Sequence, residues 1–154
     1  GSVRSYAPIV VLLSLAIVFG RVLALLQAPV LLRDFIVSNF SGNKVLFLLV
    51  LNAIFFLLGM FMDVGPAIAI LAPMLLPAAV AIGINPVHLG IVMTVNLSVG
   101  MVTPPFGVNL FVASPLVQTP VMKLGLKAVP FIIAFTIALV LITLFPGISL
   151  TLLK

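Results

Sequence analysis

One run constrains this chain more than any other: Asn96-Leu97-Ser98-Val99-Gly100-Met101-Val102-Thr103-Pro104-Pro105-Phe106-Gly107-Val108-Asn109. Apolar flanks at Leu89–Met93 and Leu110–Ala113 are together long enough to cross a bilayer. The middle forbids a continuous helix. Proline has no N–H and its ring clashes with the carbonyl four residues back. Pro104 therefore frees the carbonyl of Gly100, and Pro105 that of Met101. Thr103 adds a hydroxyl, and Gly100 and Gly107 let the backbone approach or bend. Lipid satisfies none of these groups, so the break must be buried in protein or line an aqueous site. Interrupted helices at mid-membrane are a common way to build ion and substrate sites. The plainer reading is a proline kink.

The surroundings are those of a membrane protein. Hydrophobic residues make up 64% of the 154 positions, charged residues 6%, and mean hydropathy is +1.52. A soluble domain carries about 25% charged residues. With no cysteine, disulfides, thiolate metal sites and cysteine nucleophiles are excluded. The net charge of +5 is scattered over Arg4, Arg21, Arg33, Lys44, Lys123, Lys127 and Lys154 against Asp34 and Asp63. Such dispersion suits loop and interface anchors facing a lipid bilayer, not a nucleic-acid surface. The chain opens Gly1-Ser2 with neither an initiator methionine nor a signal peptide, as a fragment would.

In order, residues 7–27 form a first transmembrane helix, with Arg21 snorkelling to an interface. Residues 30–40 read as a short amphipathic interfacial arm, in which adjacent Arg33 and Asp34 do not face each other. After the turn at Ser41-Gly42-Asn43-Lys44, residues 45–82 hold two apolar segments separated by Gly59 to Pro66, with Asp63 between them. Two arrangements compete. Either both segments cross and Asp63 is a loop carboxylate, or they are the arms of a re-entrant hairpin and Asp63 is an intramembrane acid, a functional candidate. Pro73 and Pro77 bend the second segment. Asn85 caps and Pro86 opens the broken helix, 86–116. His88 reads as an interfacial residue in its first turn. Asn96 and Asn109 bracket the break, as helix glue or as ligands. A second arm, 117–127, leads to a clean transmembrane helix at 128–145, with Pro130 in its first turn, and a short tail.

Several stretches resemble one family: Gly59-Met60-Phe61-Met62-Asp63 followed by Pro66; Ile70-Leu71-Ala72-Pro73-Met74-Leu75-Leu76-Pro77; Gly83-Ile84-Asn85-Pro86-Val87-His88-Leu89-Gly90-Ile91; and Thr103-Pro104-Pro105-Phe106-Gly107-Val108-Asn109-Leu110-Phe111-Val112. It is the large membrane subunit of tripartite ATP-independent periplasmic (TRAP) transporters. Order and spacing agree over nearly the whole chain. The resemblance implies an all-α membrane protein, one inverted repeat of an elevator-type carrier, with a re-entrant hairpin and a broken transmembrane helix. It implies sodium-coupled import of organic acids such as dicarboxylates or sialic acid across the bacterial inner membrane. The implied partners are a small membrane subunit, a periplasmic binding protein and the N-terminal repeat, which this chain lacks. Activity then needs both repeats, because the substrate site lies between them. Matching the motifs position by position implies sodium ligands at Gly59, Gly100, Thr103 and Phe106, mostly through backbone oxygen. Asp63, Asn96, Met101, Pro104, Pro105 and Asn109 remain ion or substrate candidates. Alternatives are another sodium-coupled elevator carrier and, further off, an ion channel with the freed carbonyls as its filter. Asp34, Asp63 and His88 show no catalytic spacing, so an enzyme is not expected.

Overall fold

A computed structural model describes residues 2–40 and 42–151. Gly1, Ser41 and 152–154 lie outside it, and with them the charge expected at Lys154. The described residues form helices and connections without strands: α1 (Ser2–Leu25), α2 (Ala28–Phe40), α3 (Lys44–Phe61), α4 (Val64–Ala81), α5 (Pro86–Gly100), α6 (Val108–Leu116), α7 (Val121–Leu144) and α8 (Pro146–Leu150). Helices α3, α4 and α7 are long and apolar enough to cross a membrane.

Each boundary has a local cause. Residues 13–25 of α1 and α2 meet at 67°, across Gln27, whose φ of 56° no helix accommodates. Helix α2 begins at Ala28, two residues before the expected arm, and packs on α4. Arg33 Nη1 lies 4.0 Å from Asp34 Oδ1, so these neighbours do face each other at the outer limit of an ion pair. Asn43 caps α3 by accepting the Leu46 N–H at 3.0 Å. Asp63 caps α4 through the Gly65 N–H, also at 3.0 Å, where a carboxylate suits the helix's positive end. At the far end of α4, Gly83 at φ +78° allows a Schellman turn: Ile84 N–H reaches Ala79 O at 2.8 Å and Gly83 N–H reaches Val80 O at 2.9 Å. Asn85 then accepts the Val87 N–H at 2.8 Å and Pro86 occupies the first position of α5, as the sequence predicts.

Helices α3 and α4 are the arms of a hairpin. Lys44 Nζ at its start donates to Gly83 O past its end, at 3.1 Å, so both arms of the hairpin meet the chain at the same end. The arms make little contact with each other. Helix α3 packs mainly on α5, and α4 on α1, α2 and α5. Apolar residues of α2 fill the wedge between them, and the core gathers there around Ile36, Phe47, Leu51, Phe55, Leu75 and Leu97.

Pro73 and Pro77 sit inside one continuous helix α4 with both rings exposed, so the hydrogen bonds they delete do not divide it. Two expectations change. Helix α7 runs unbroken from Val121, and no separate arm ends at 127. Pro130 is accordingly its tenth residue, not part of a first turn. The tail folds back as α8 against α5 and α7.

Candidate functional site

The broken helix ends its first half at Gly100 and resumes at Val108. The hairpin turn lies against this interruption, at the middle of the segment. The closest contact joins Gly59 and Gly100. A Cβ on Gly59 would stand 2.5 Å from Leu97 O, and one on Gly100 would stand 2.7 Å from Gly59 Cα and from Phe56 O. Backbone touches backbone here, which only glycine permits. Beyond it, Phe61 stacks on Phe106 with ring centroids 4.7 Å apart and planes inclined by 36°. The structure thus brings Gly59 against Gly100 and Phe61 against Phe106, and Thr103 sits within the same interruption, 8% exposed.

The oxygens there are not all unpaired, contrary to the simplest count. Gly100 O accepts the Thr103 N–H at 2.9 Å, and Met101 O accepts the Asn109 N–H at 3.1 Å. Pro104 and Pro105 remove two helical bonds, and a tighter turn replaces them. The Pro104–Pro105 peptide is cis. Gly107 completes the turn, where a Cβ would lie 2.9 Å from the carbonyl oxygens of both Met101 and Thr103. By contrast, Gly59 O and Phe106 O accept no hydrogen bond from any described residue. Gly59 O is one of the last carbonyls of α3, where partial negative charge collects. Thr103 Oγ1 donates to Val99 O at 2.7 Å, which leaves its lone pairs free. Chemically this is a small set of hard, neutral oxygens beside two helix ends, the donor type that hard cations take. No trio of His, Asp or Glu converges among the described residues.

The other candidates divide. Asp63 is exposed at the hairpin turn and serves as the cap of α4. Asn109 is exposed and lines a cavity of about 410 Å³ between α6 and α7, with Val102, Leu124 and Lys127. Asn96 is fully buried: its Nδ2 donates to Asn52 O and Asn52 Oδ1, each at 2.9 Å, and its Oδ1 has no partner among the described residues. Its glue reading therefore describes its contacts. Thr94 and Ser98 bond carbonyls one turn back in α5. His88 is covered by protein. It is 2% exposed, with Nδ1 2.8 Å from Ser149 Oγ of α8. Helix α8, unforeseen in the sequence, covers it.

Sequence reasoning missed Asn52, Thr143 and Gly125 as structural partners. Asn52 donates to Thr143 Oγ1 at 2.9 Å, linking α3 to α7. The signal was present: Asn52 is the one amide in α3, seven residues before Gly59 and so on the same face. Gly125 receives the break from the other side, with Pro104 Cγ 2.5 Å from where its Cβ would be.

Comparison with known proteins points one way. Residues 1–148 match the family described as "Tripartite ATP-independent periplasmic transporter, DctM component". The chain is 39% identical over 137 residues to an isethionate TRAP transporter permease protein, DctMQ, of Oleidesulfovibrio alaskensis, covering 89% of this chain and 21% of that one. It is 37% identical over 137 residues to the C4-dicarboxylate TRAP transporter large permease protein DctM of Pseudomonas aeruginosa, covering 89% and 32%. It is 36% identical over 135 residues to the sialic acid TRAP transporter large permease protein SiaM of Vibrio cholerae, covering 88% and 31%. The chain spans between 21% and 32% of the length of these relatives, which are named permeases and not enzymes.

Proposed function

The chain belongs to the family of the DctM component of TRAP transporters, and from that membership we propose that it forms part of a permease driving sodium-coupled secondary transport of organic acids. The family resides in the bacterial inner membrane, and the long apolar helices of this chain suit that setting. A small membrane subunit, a periplasmic binding protein and the remaining part of the permease complete the machine. Relatives named for C4-dicarboxylate, sialic acid and isethionate support an organic anion as substrate class.

Sodium binds between the hairpin turn and the interrupted helix. The observation that carries this is the seating of α3 on the break through Gly59 and Gly100, with Gly59 O and Phe106 O left without hydrogen-bond donors. Gly100 O and Thr103 O each spend one lone pair inside the turn and keep another. Thr103 Oγ1 supplies a further acceptor. Sodium replaces donors that lipid cannot offer, and its arrival joins two segments far apart in sequence. The same contact supports the re-entrant reading of the hairpin: a turn lodged at the middle of a crossing segment does not reach the opposite surface.

The test is sodium activation of uptake by the intact transporter. Thr103→Ala at matched expression should raise the sodium concentration for half-maximal uptake about three- to ten-fold, the effect of one lost oxygen ligand. Unchanged activation would remove the Thr103 side chain from the site. A density map at saturating sodium with no ion between Gly59 and Phe106 would overturn the site itself.

A further inference from the structure

We infer that Asn52 is the positioning residue of the cation site, clamping the hairpin arm α3 to the interrupted helix through a directional relay from Asn96 to Thr143. The inference rests on the sodium site proposed above and adds a residue outside it.

The relay has one possible polarity. Thr143 Oγ1 donates its single hydrogen to Leu139 O at 2.8 Å. Toward Asn52 it can only accept, so the Asn52 group 2.9 Å away is Nδ2. That fixes the Asn52 amide, with Oδ1 turned to α5. Asn96 must then present Nδ2, whose two hydrogens go to Asn52 Oδ1 and Asn52 O. Neither amide can flip without placing two acceptors or two donors together. Asn96 and Thr143 are 0% and 1% exposed, and Asn52 between them is half-buried. In the apolar interior a broken member leaves a buried polar group unpaired, which makes the register of α3 on α5 steep in energy.

The clamp lies on the same seam as the cation site. Asn52 and Gly59 are seven residues apart on α3, two turns or roughly 10 Å. Asn96 and Gly100 are one turn apart on α5. Glycine contacts slide easily, because smooth backbones carry no interlocking side chains. The Gly59–Gly100 contact sets which carbonyls meet, yet it cannot by itself fix their register. The amide pair supplies that register, and Thr143 ties the pair to α7, the helix whose Gly125 holds Pro104 on the other side of the break. Both sides of the candidate site are thus referred to one helix.

The experiment combines two readouts in the intact transporter, made cysteine-free. Asn52→Ala and Thr143→Val delete the relay, and Thr143→Ser preserves it. For sodium activation, Asn52→Ala should raise the half-maximal concentration about ten-fold, with uptake at saturating sodium close to wild type at matched expression. Thr143→Val should do the same to a smaller extent, and Thr143→Ser should leave activation unchanged. In parallel, spin labels on exposed Leu57 of α3 and exposed Phe111 of α6 should give one narrow distance, broadened by Asn52→Ala and Thr143→Val but not by Thr143→Ser. A loss of uptake without a shift in sodium dependence, or identical behaviour of Thr143→Val and Thr143→Ser, would overturn the clamp. Should Asn52→Ala fail to fold, the nearly isosteric Thr143→Val and Thr143→Ser pair decides alone. Sodium-independent uptake by the unsubstituted transporter would defeat the cation site, while the distance measurement would still judge the clamp.

Discussion

The hairpin is gripped differently along its two arms. Helix α3 meets α5 through backbone contact at Gly59 and Gly100, locked by amide hydrogen bonds from Asn96. Helix α4 meets α1 through looser packing: a Cβ on Gly20 would lie 3.7 Å from Ala69 O, and one on Gly65 would lie 3.5 Å from Leu13 Cδ2. No side-chain hydrogen bond joins α1 or α2 to α4 among the described residues. Ala69 O is the carbonyl that Pro73 deprives of its helical donor, so even there a glycine faces free backbone oxygen, with room to spare. One face is specified to a few tenths of an ångström by groups that tolerate no change. The other is apolar and forgiving. Specificity of register costs polar burial, and the chain accepts that cost where the candidate ligands are.

Substitutions at glycines break or sharpen this contrast. The largest effect is expected at the seam. Gly59→Ala and Gly100→Ala should each abolish uptake and destabilise the intact transporter by about 3 kcal/mol or more, since the added methyl meets rigid backbone. Thermal unfolding in detergent, with uptake beside it, measures both, and near-wild-type behaviour would show that the seam is not tight. Gly125→Ala comes next. Its methyl would press on the Pro104 ring, and a pyrrolidine yields only slightly, so a partial loss of uptake and about 1–2 kcal/mol are expected. The smallest effect belongs to Gly20→Ala in α1 and Gly90→Ala in α5, where the neighbours leave ordinary contact distance or open space. Helix propensity then dominates and stability should stay level or rise by up to about 1 kcal/mol, with uptake unchanged. A strong loss at Gly20 would erase the distinction between the arms.

The resemblance in sequence carried the family, and the family model agrees with it. Much of the architecture was also legible, because lipid leaves backbone few choices. An apolar run with no charges must be helical, and Gly-Ile-Asn-Pro at 83–86 had to turn and cap. The pair Pro104-Pro105 had to interrupt a helix, and the break at residues 101–107 follows. Pro73 and Pro77 lose hydrogen bonds yet stay within one continuous helix, which packs on α1 and α2. Local rules overreached at the break. The freed carbonyls of Gly100 and Met101 found new donors at Thr103 and Asn109, because the chain after the break can fold back.

The sequence by itself determined the solvent of this protein, its helical class and the position of the interruption. All of these follow from chemistry carried within a few residues: a missing N–H, an absent side chain, a side-chain oxygen at a helix start. Only the tertiary structure decided which glycine meets which, that Phe61 lies on Phe106, that Asn96 answers to Asn52 and not to the break, and that α8 buries His88. A hydrogen bond or a ring contact needs two partners. Spacing along one helix gives the face on which each partner stands, and the packing of residues 41 or more apart in the chain gives the meeting.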